Sequence, residues 1–175
     1  MSTNPIDEAI ENLGVQGVFL RSTTIKQHDD FDPRLGDKDL IVQTRAGTTL
    51  LNDLAVQDDK TGETHLLFKV HFNCGLRLSD PGLMQGDDPA SGVVVEISAT
   101  FVAEYLVKPG ACISDEAKDA FSKQHVGYHV WPYWREYVQS SCGRLGLPIV
   151  TVPMYRVSKA NQKKAQPRPR KKITS

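Results

Sequence analysis

Residues 130–153, VWPYWREYVQSSCGRLGLPIVTVP, decide how the chain is read, because two prolines, a run of aromatics and an Arg-Glu pair punctuate one compact unit. Pro132 supplies no backbone N–H and fixes φ, so it marks a helix start or a kink. Beyond it Trp134, Tyr137, Val138, Ser141, Cys142 and Leu145 recur at the spacing of one helical face. Gly143 and Gly146 weaken that helix, and Pro148 forbids its continuation. A stripe of this kind buries against something. Taken alone it reads as an ordinary core helix.

The same unit resembles the signature of the SecB-type export chaperones. In that family a Phe-Pro-Tyr, followed one residue later by Arg-Glu, opens a helix turn. Trp131, Pro132, Tyr133, Arg135 and Glu136 stand at the matching places, and Arg144, Pro148 and Pro153 match the later Arg and the two prolines that follow. The resemblance implies an α+β fold, and subunits that pair through their sheets into dimers of dimers with long helices between them. It also gives the helix a second surface to cover, on another subunit. Arg135 and Glu136 are adjacent and point in different directions on a helix, so each is expected to anchor the helix to another element or subunit rather than to its neighbour.

Upstream of this unit the pattern is β-rich. Residues 5–13 form a short predicted helix ended by Gly14, with Asp7 and Glu8 suiting its N-terminal dipole. A first strand follows from Val15 to Gln27, with Val18, Leu20, Ser22 and Thr24 on one side and Phe19, Thr23 and Ile25 on the other. A second strand spans Asp39 to Val56, with an irregularity near Ala46 and Gly47. Asp58 to Gly62 make a tight turn. A third strand runs from Glu63 to Leu78, and Ser79 to Gly92 cross the surface as turns. The fourth strand, Val93 to Val107, keeps Val93, Val95, Ile97, Ala99, Phe101, Ala103 and Tyr105 in phase. Ser114 is a natural N-cap for helical structure that continues or restarts through His125 to Leu145. The expected fold class is α+β: a four-stranded antiparallel meander sheet followed by helix packed on one face.

A chain of 175 residues is long enough to bury a core as one domain, here residues 1–155, with 156–175 as a tail. The zero net charge hides an asymmetry. Residues 1–155 hold 13 Lys and Arg against 21 Asp and Glu, whereas 156–175 hold eight Lys and Arg and no acid. That tail reads as a disordered solubilising end, as a contact for nucleic acid or an anionic surface, or as a clamp onto the acidic body. No stretch has the apolar length of a membrane span, and the polar, acidic N-terminus lacks a signal-peptide pattern. Cys74, Cys112 and Cys142 form no close pair, as expected of cytosolic thiols.

Candidate chemistry is sparse. His125 and His129 share an i,i+4 spacing without an acidic or thiol ligand beside them, and satisfied or surface histidines are the simpler reading. Asp29, Asp30 and Asp32, Asp58 and Asp59, and Asp87 and Asp88 read as solvated turn carboxylates. The chain carries no nucleotide, dinucleotide or hydrolase fingerprint. No catalytic, cofactor or metal residue is expected.

The resemblance instead implies an ATP-independent cytoplasmic chaperone that binds non-native polypeptides along apolar grooves. Its implied partners are unfolded preproteins passed to the SecA motor, or an antitoxin in the subgroup that works beside a toxin–antitoxin pair, and its implied state is a homotetramer. Phe101, Tyr105, Trp131, Trp134 and Tyr137 are the candidates for groove or helix-packing contacts, with a plain core role the simpler reading of each. The chain departs from family members that serve the motor by its basic, Pro-containing tail and its longer 79–92 loop. Two rival readings are a nucleic-acid-associated adaptor acting through that tail and an enzyme built on a curved antiparallel sheet.

Overall fold

The structure, a computed structural model, describes residues 4–34, 39–84, 88 and 90–156. Helix α1 (Pro5–Asn12) starts at Asn4, whose side chain accepts from the Ile6 N–H at 3.4 Å, with Pro5 at the first helical position. Gly14 does not end it. The chain turns extended already at Leu13, where strand β1 (Leu13–Gln27) begins. Strands β2 (Ile41–Gln57), β3 (Thr64–Ser79) and β4 (Val93–Val107) follow, then helices α2 (Asp115–Gln124) and α3 (Val126–Arg144).

The α+β class, the antiparallel sheet and the helices on one face are as the sequence led us to expect. A strict meander is not. Strands β2, β3 and β4 follow one another as hairpins, but the sheet order is β1-β4-β3-β2, so β1 lies beside β4 in a Greek-key arrangement. The physical reason is the long 28–40 connection, which frees β1 from its sequence neighbour. Hairpin closure is local by contrast. Asp58 Oδ1 accepts from the N–H groups of Lys60 and Thr61 at 2.7 and 3.2 Å, and Gly62 takes φ +72° in the β2–β3 turn. These two backbone donors hold the Asp58 carboxyl below its ordinary pKa.

Two bulges correct the strand faces. In β1 the register against β4 shifts between Val15 and Gly17 and again between Leu20 and Ser22. Val18, Leu20, Thr23 and Ile25 therefore share the helix-covered face, and Phe19, Ser22 and Thr24 the other. In β2 the irregularity falls between Thr48 and Leu50, two residues beyond Gly47.

The core lies between the inner face of the sheet and the two long helices. Phe68, Val70, Phe72 and Leu76 of β3 and Ile97, Phe101 and Tyr105 of β4 meet Ala117 and Phe121 of α2 and Val126, Val130, Trp134, Val138 and Cys142 of α3. The helical stripe read from the sequence is thus the buried one. Cys74 and Cys142 pack there as small apolar groups, and burial pushes the Cys74 thiol up to about 12.

Helix α2 is held at its N-terminus by α1. Glu8 accepts from the Ser114 N–H at 2.7 Å and from its hydroxyl at 3.1 Å, while Ser114 Oγ accepts from the Ala117 N–H at 3.3 Å. The helices break at His125. Pro132 is neither the start of α3 nor its end but lies inside it, on the exposed side, where the missing donor faces water. Gly146 at φ +69° closes the helix, with the Leu147 N–H donating to the Cys142 carbonyl at 2.9 Å.

Candidate functional site

After Pro148 the described chain returns along α3 as a strap that includes residues 152–156. Trp131 Nε1 donates to the Pro153 carbonyl at 2.6 Å, and the Arg135 Nη1 group lies 3.2 Å from the Met154 sulfur. The Tyr155 ring inserts against Phe72, Tyr128 and Trp131, with centroid distances of 6.2, 5.1 and 5.2 Å. It fits because Gly127 has no side chain, and a β-carbon there would overlap the phenol. Burial, with Tyr128 and Cys74 nearby, holds the Tyr155 phenol above its ordinary pKa.

The strap and α3 leave two apolar surfaces. One is on the strap, where Ile149 and Met154 are exposed. The other runs along β1 on the helix-covered face of the sheet. Val15, Leu20 and Ile25 are 51%, 47% and 40% exposed there. They span roughly 30 Å of strand. Tyr137 closes the helix side of this ledge, its hydroxyl bonded to Thr23 Oγ1. Strand β1 is a sheet edge, so its outward row of backbone N–H and C=O groups has no ladder partner among the described residues.

The residues singled out in the sequence divide by burial. Phe101, Tyr105, Trp131 and Trp134 are buried in the core and Tyr137 packs against it. They join the helices to the sheet. Of the motif residues, Pro132, Tyr133, Glu136, Arg144 and Pro148 are exposed, and Arg135 is half-buried against the strap. Val15, Leu20 and Ile25 were not singled out by sequence, where they read as ordinary apolar strand positions.

Tyr105 anchors a polar spot in the core. Its hydroxyl lies 2.9 Å from His129 Nδ1, and its ring meets Phe121 edge-on at 4.9 Å, while His125 stacks on Phe121 at 5.4 Å. Burial raises the Tyr105 phenol and, together with the charge of His125, lowers His129. Among the described residues no three His, Cys, Asp or Glu side chains converge to hold a metal ion. Asp32 is paired in its loop with Arg34, whose guanidinium at 2.9 Å holds the carboxyl below its ordinary range. No helix among the described residues is long and apolar enough to cross a membrane. The tail readings fall on residues 157–175, outside the described residues.

No family model matches the chain, and no curated protein does. Among solved structures, the Mycobacterium tuberculosis SecB-like chaperone Rv1957, in complex with a ChAD peptide from the Rv1956 HigA1 antitoxin, superposes with a TM-score of 0.63. The match covers 87% of this chain and 96% of that one at 20% sequence identity. Motif, element order and superposition agree. The chain has the fold of the SecB-like chaperones.

Proposed function

We propose that this protein is an ATP-independent chaperone that holds non-native polypeptide segments against the apolar ledge of β1. The observation that carries the reading is the exposure of Val15, Leu20 and Ile25 on the helix-covered face of a sheet whose edge is open. An extended client segment can cover these side chains while its backbone pairs with the strand, a mode that tolerates many sequences. The fold shared with a peptide-bound SecB-like chaperone supports the same reading.

Magnitudes set the assembly. Covering three half-exposed apolar side chains is worth about 4 kcal/mol in all, a contact of millimolar strength on its own. Stable retention needs several ledges on one client. A homotetramer built as a dimer of dimers supplies them. The clients proposed are an antitoxin of a toxin–antitoxin pair or unfolded preproteins, the latter with SecA as the receiving partner, and the proposed compartment is the cytoplasm.

Aggregation suppression tests the function directly. A denatured client diluted into buffer without nucleotide should stay soluble in the presence of the chain. Replacing Val15, Leu20 and Ile25 together by Ser should remove most of that protection while the chain stays folded. Full protection by the triple variant would place client capture elsewhere.

A further inference from the structure

The helix-free face of the sheet carries a charge opposite to that of the rest of the body. Register and alternation put Lys26 of β1, Arg45 of β2, and Lys69 and Arg77 of β3 on that face, together with Glu96 and Glu104 of β4. Arg21, in the β1 bulge, lines a hollow there with Lys69 and Glu104. Among the described residues up to Tyr155, the strands of this face thus hold five of 12 cations and two of 19 acids, leaving seven cations against seventeen acids among the other described residues.

The two carboxylates are fully used. Glu104 pairs with Lys69 at 2.6 Å. Glu96 takes Arg77 at 3.0 Å and lies 3.8 Å from Arg45, whose side chain lies across Gly75. Arg21 and Lys26 make no ion pair among the described residues, and Arg45 shares its acid with Arg77, so the excess is positive. Between them an open hollow of about 400 Å³ is floored by hydroxyl and amide groups, with Ser22, Thr24, Asn73, Ser98 and Thr100 around it. Thr100 Oγ1 donates to Asn73 Oδ1 at 2.7 Å, leaving the Asn73 amide N–H groups as further donors.

We propose that this face docks an acidic, extended segment of a partner protein, independently of client capture on the opposite face. Charge complementarity selects the occupant. A long nucleic acid fits less well, because a continuous phosphate backbone runs onto Glu96 and Glu104 and then meets the acidic remainder of the body. The chain's own basic tail carries the same sign as the face and is repelled by it.

The test uses the full-length chain with its tail lysines and arginines replaced by serine, so that the tail cannot bind the probe. The probe is a fluorescein-labelled polyglutamate peptide of about twenty residues, followed by anisotropy at low and raised salt. This chain should bind it salt-dependently, and adding Arg21→Glu, Lys26→Glu and Arg45→Glu should weaken binding by about tenfold or more. If that variant does not fold, Arg21→Gln, Lys26→Gln and Arg45→Gln should weaken binding by about threefold or more. Unchanged binding in the folded variant overturns the proposal. So does tighter binding of an oligothymidylate of equal length that is lost on reversal. Light scattering that shows the reversal to dissociate an oligomer also overturns it, making the face a contact between copies.

Discussion

The phenol of Tyr155 occupies the space that a β-carbon on Gly127 would need. This fit seats the strap on α3 and, through Trp131 and Pro153, fixes the apolar surface formed by Ile149 and Met154. Gly127→Ala should displace the ring and cost about 1–3 kcal/mol. In a Tyr155→Ala background the same substitution should cost much less, because the clash is already gone. Urea unfolding of the four chains of the cycle measures the difference, and equal costs in both backgrounds would show that the fit is not what the glycine is for.

Tyr105 and His129 make stability depend on acidity. Burial, then the charge of His125, holds the folded-state pKa of His129 below its ordinary 6.5. The unfolded chain therefore binds the proton first, so this contribution is present above pH 6.5 and is lost as pH falls through the lower folded-state value. His129→Gln should flatten the acid limb of a plot of Tm against pH. An unchanged acid limb would assign the pH dependence to other groups.

Glu8 joins α1 to the start of α2 by two hydrogen bonds to Ser114. Glu8→Ala should cost about 1–2 kcal/mol, as expected for losing a charge-assisted cap. Amide exchange should speed up at the first turn of α2 before it does in β3 or β4. Uniform acceleration would mean that α1 stabilises the whole domain rather than this junction.

Trp134 is buried between α3 and the sheet, so Trp134→Ala should cost about 3–5 kcal/mol. Its effect on client retention should follow from lost folding alone. A variant that stays folded but loses client would give this residue a direct binding role.

The features of the fold legible in the sequence are those set by short-range pattern. Strand β4 keeps Val95, Ile97, Ala99, Phe101, Ala103 and Tyr105 in phase on the buried face, and its bounds were read as they stand, although a register shift at Val94 takes Val93 out of that phase. The buried stripe of α3 followed from the spacing of Trp134, Val138, Ser141 and Cys142. Bulges leave no comparable mark, and so the extra residue at Arg21 reversed the faces assigned to Ser22 through Ile25. The neighbour of β1 depends on pairing across more than seventy residues of intervening chain, as Thr23 with Ala99. The β1 ledge was missed for a related reason. Val15, Leu20 and Ile25 look like core residues until it is known where α3 stops covering the sheet. The charge partition was hidden in the same way, since Lys26 and Arg45 come to share a face with Lys69 and Arg77 only through register.

The activity proposed for this fold is the capture of unfolded chains without nucleotide. Size exclusion with light scattering, run on the full-length chain mixed with a reduced, unfolded client and separately with the same client folded, tests it most directly. An oligomer that co-elutes with the unfolded client and ignores the folded one is the expected result. A monomer that retains neither form would contradict it.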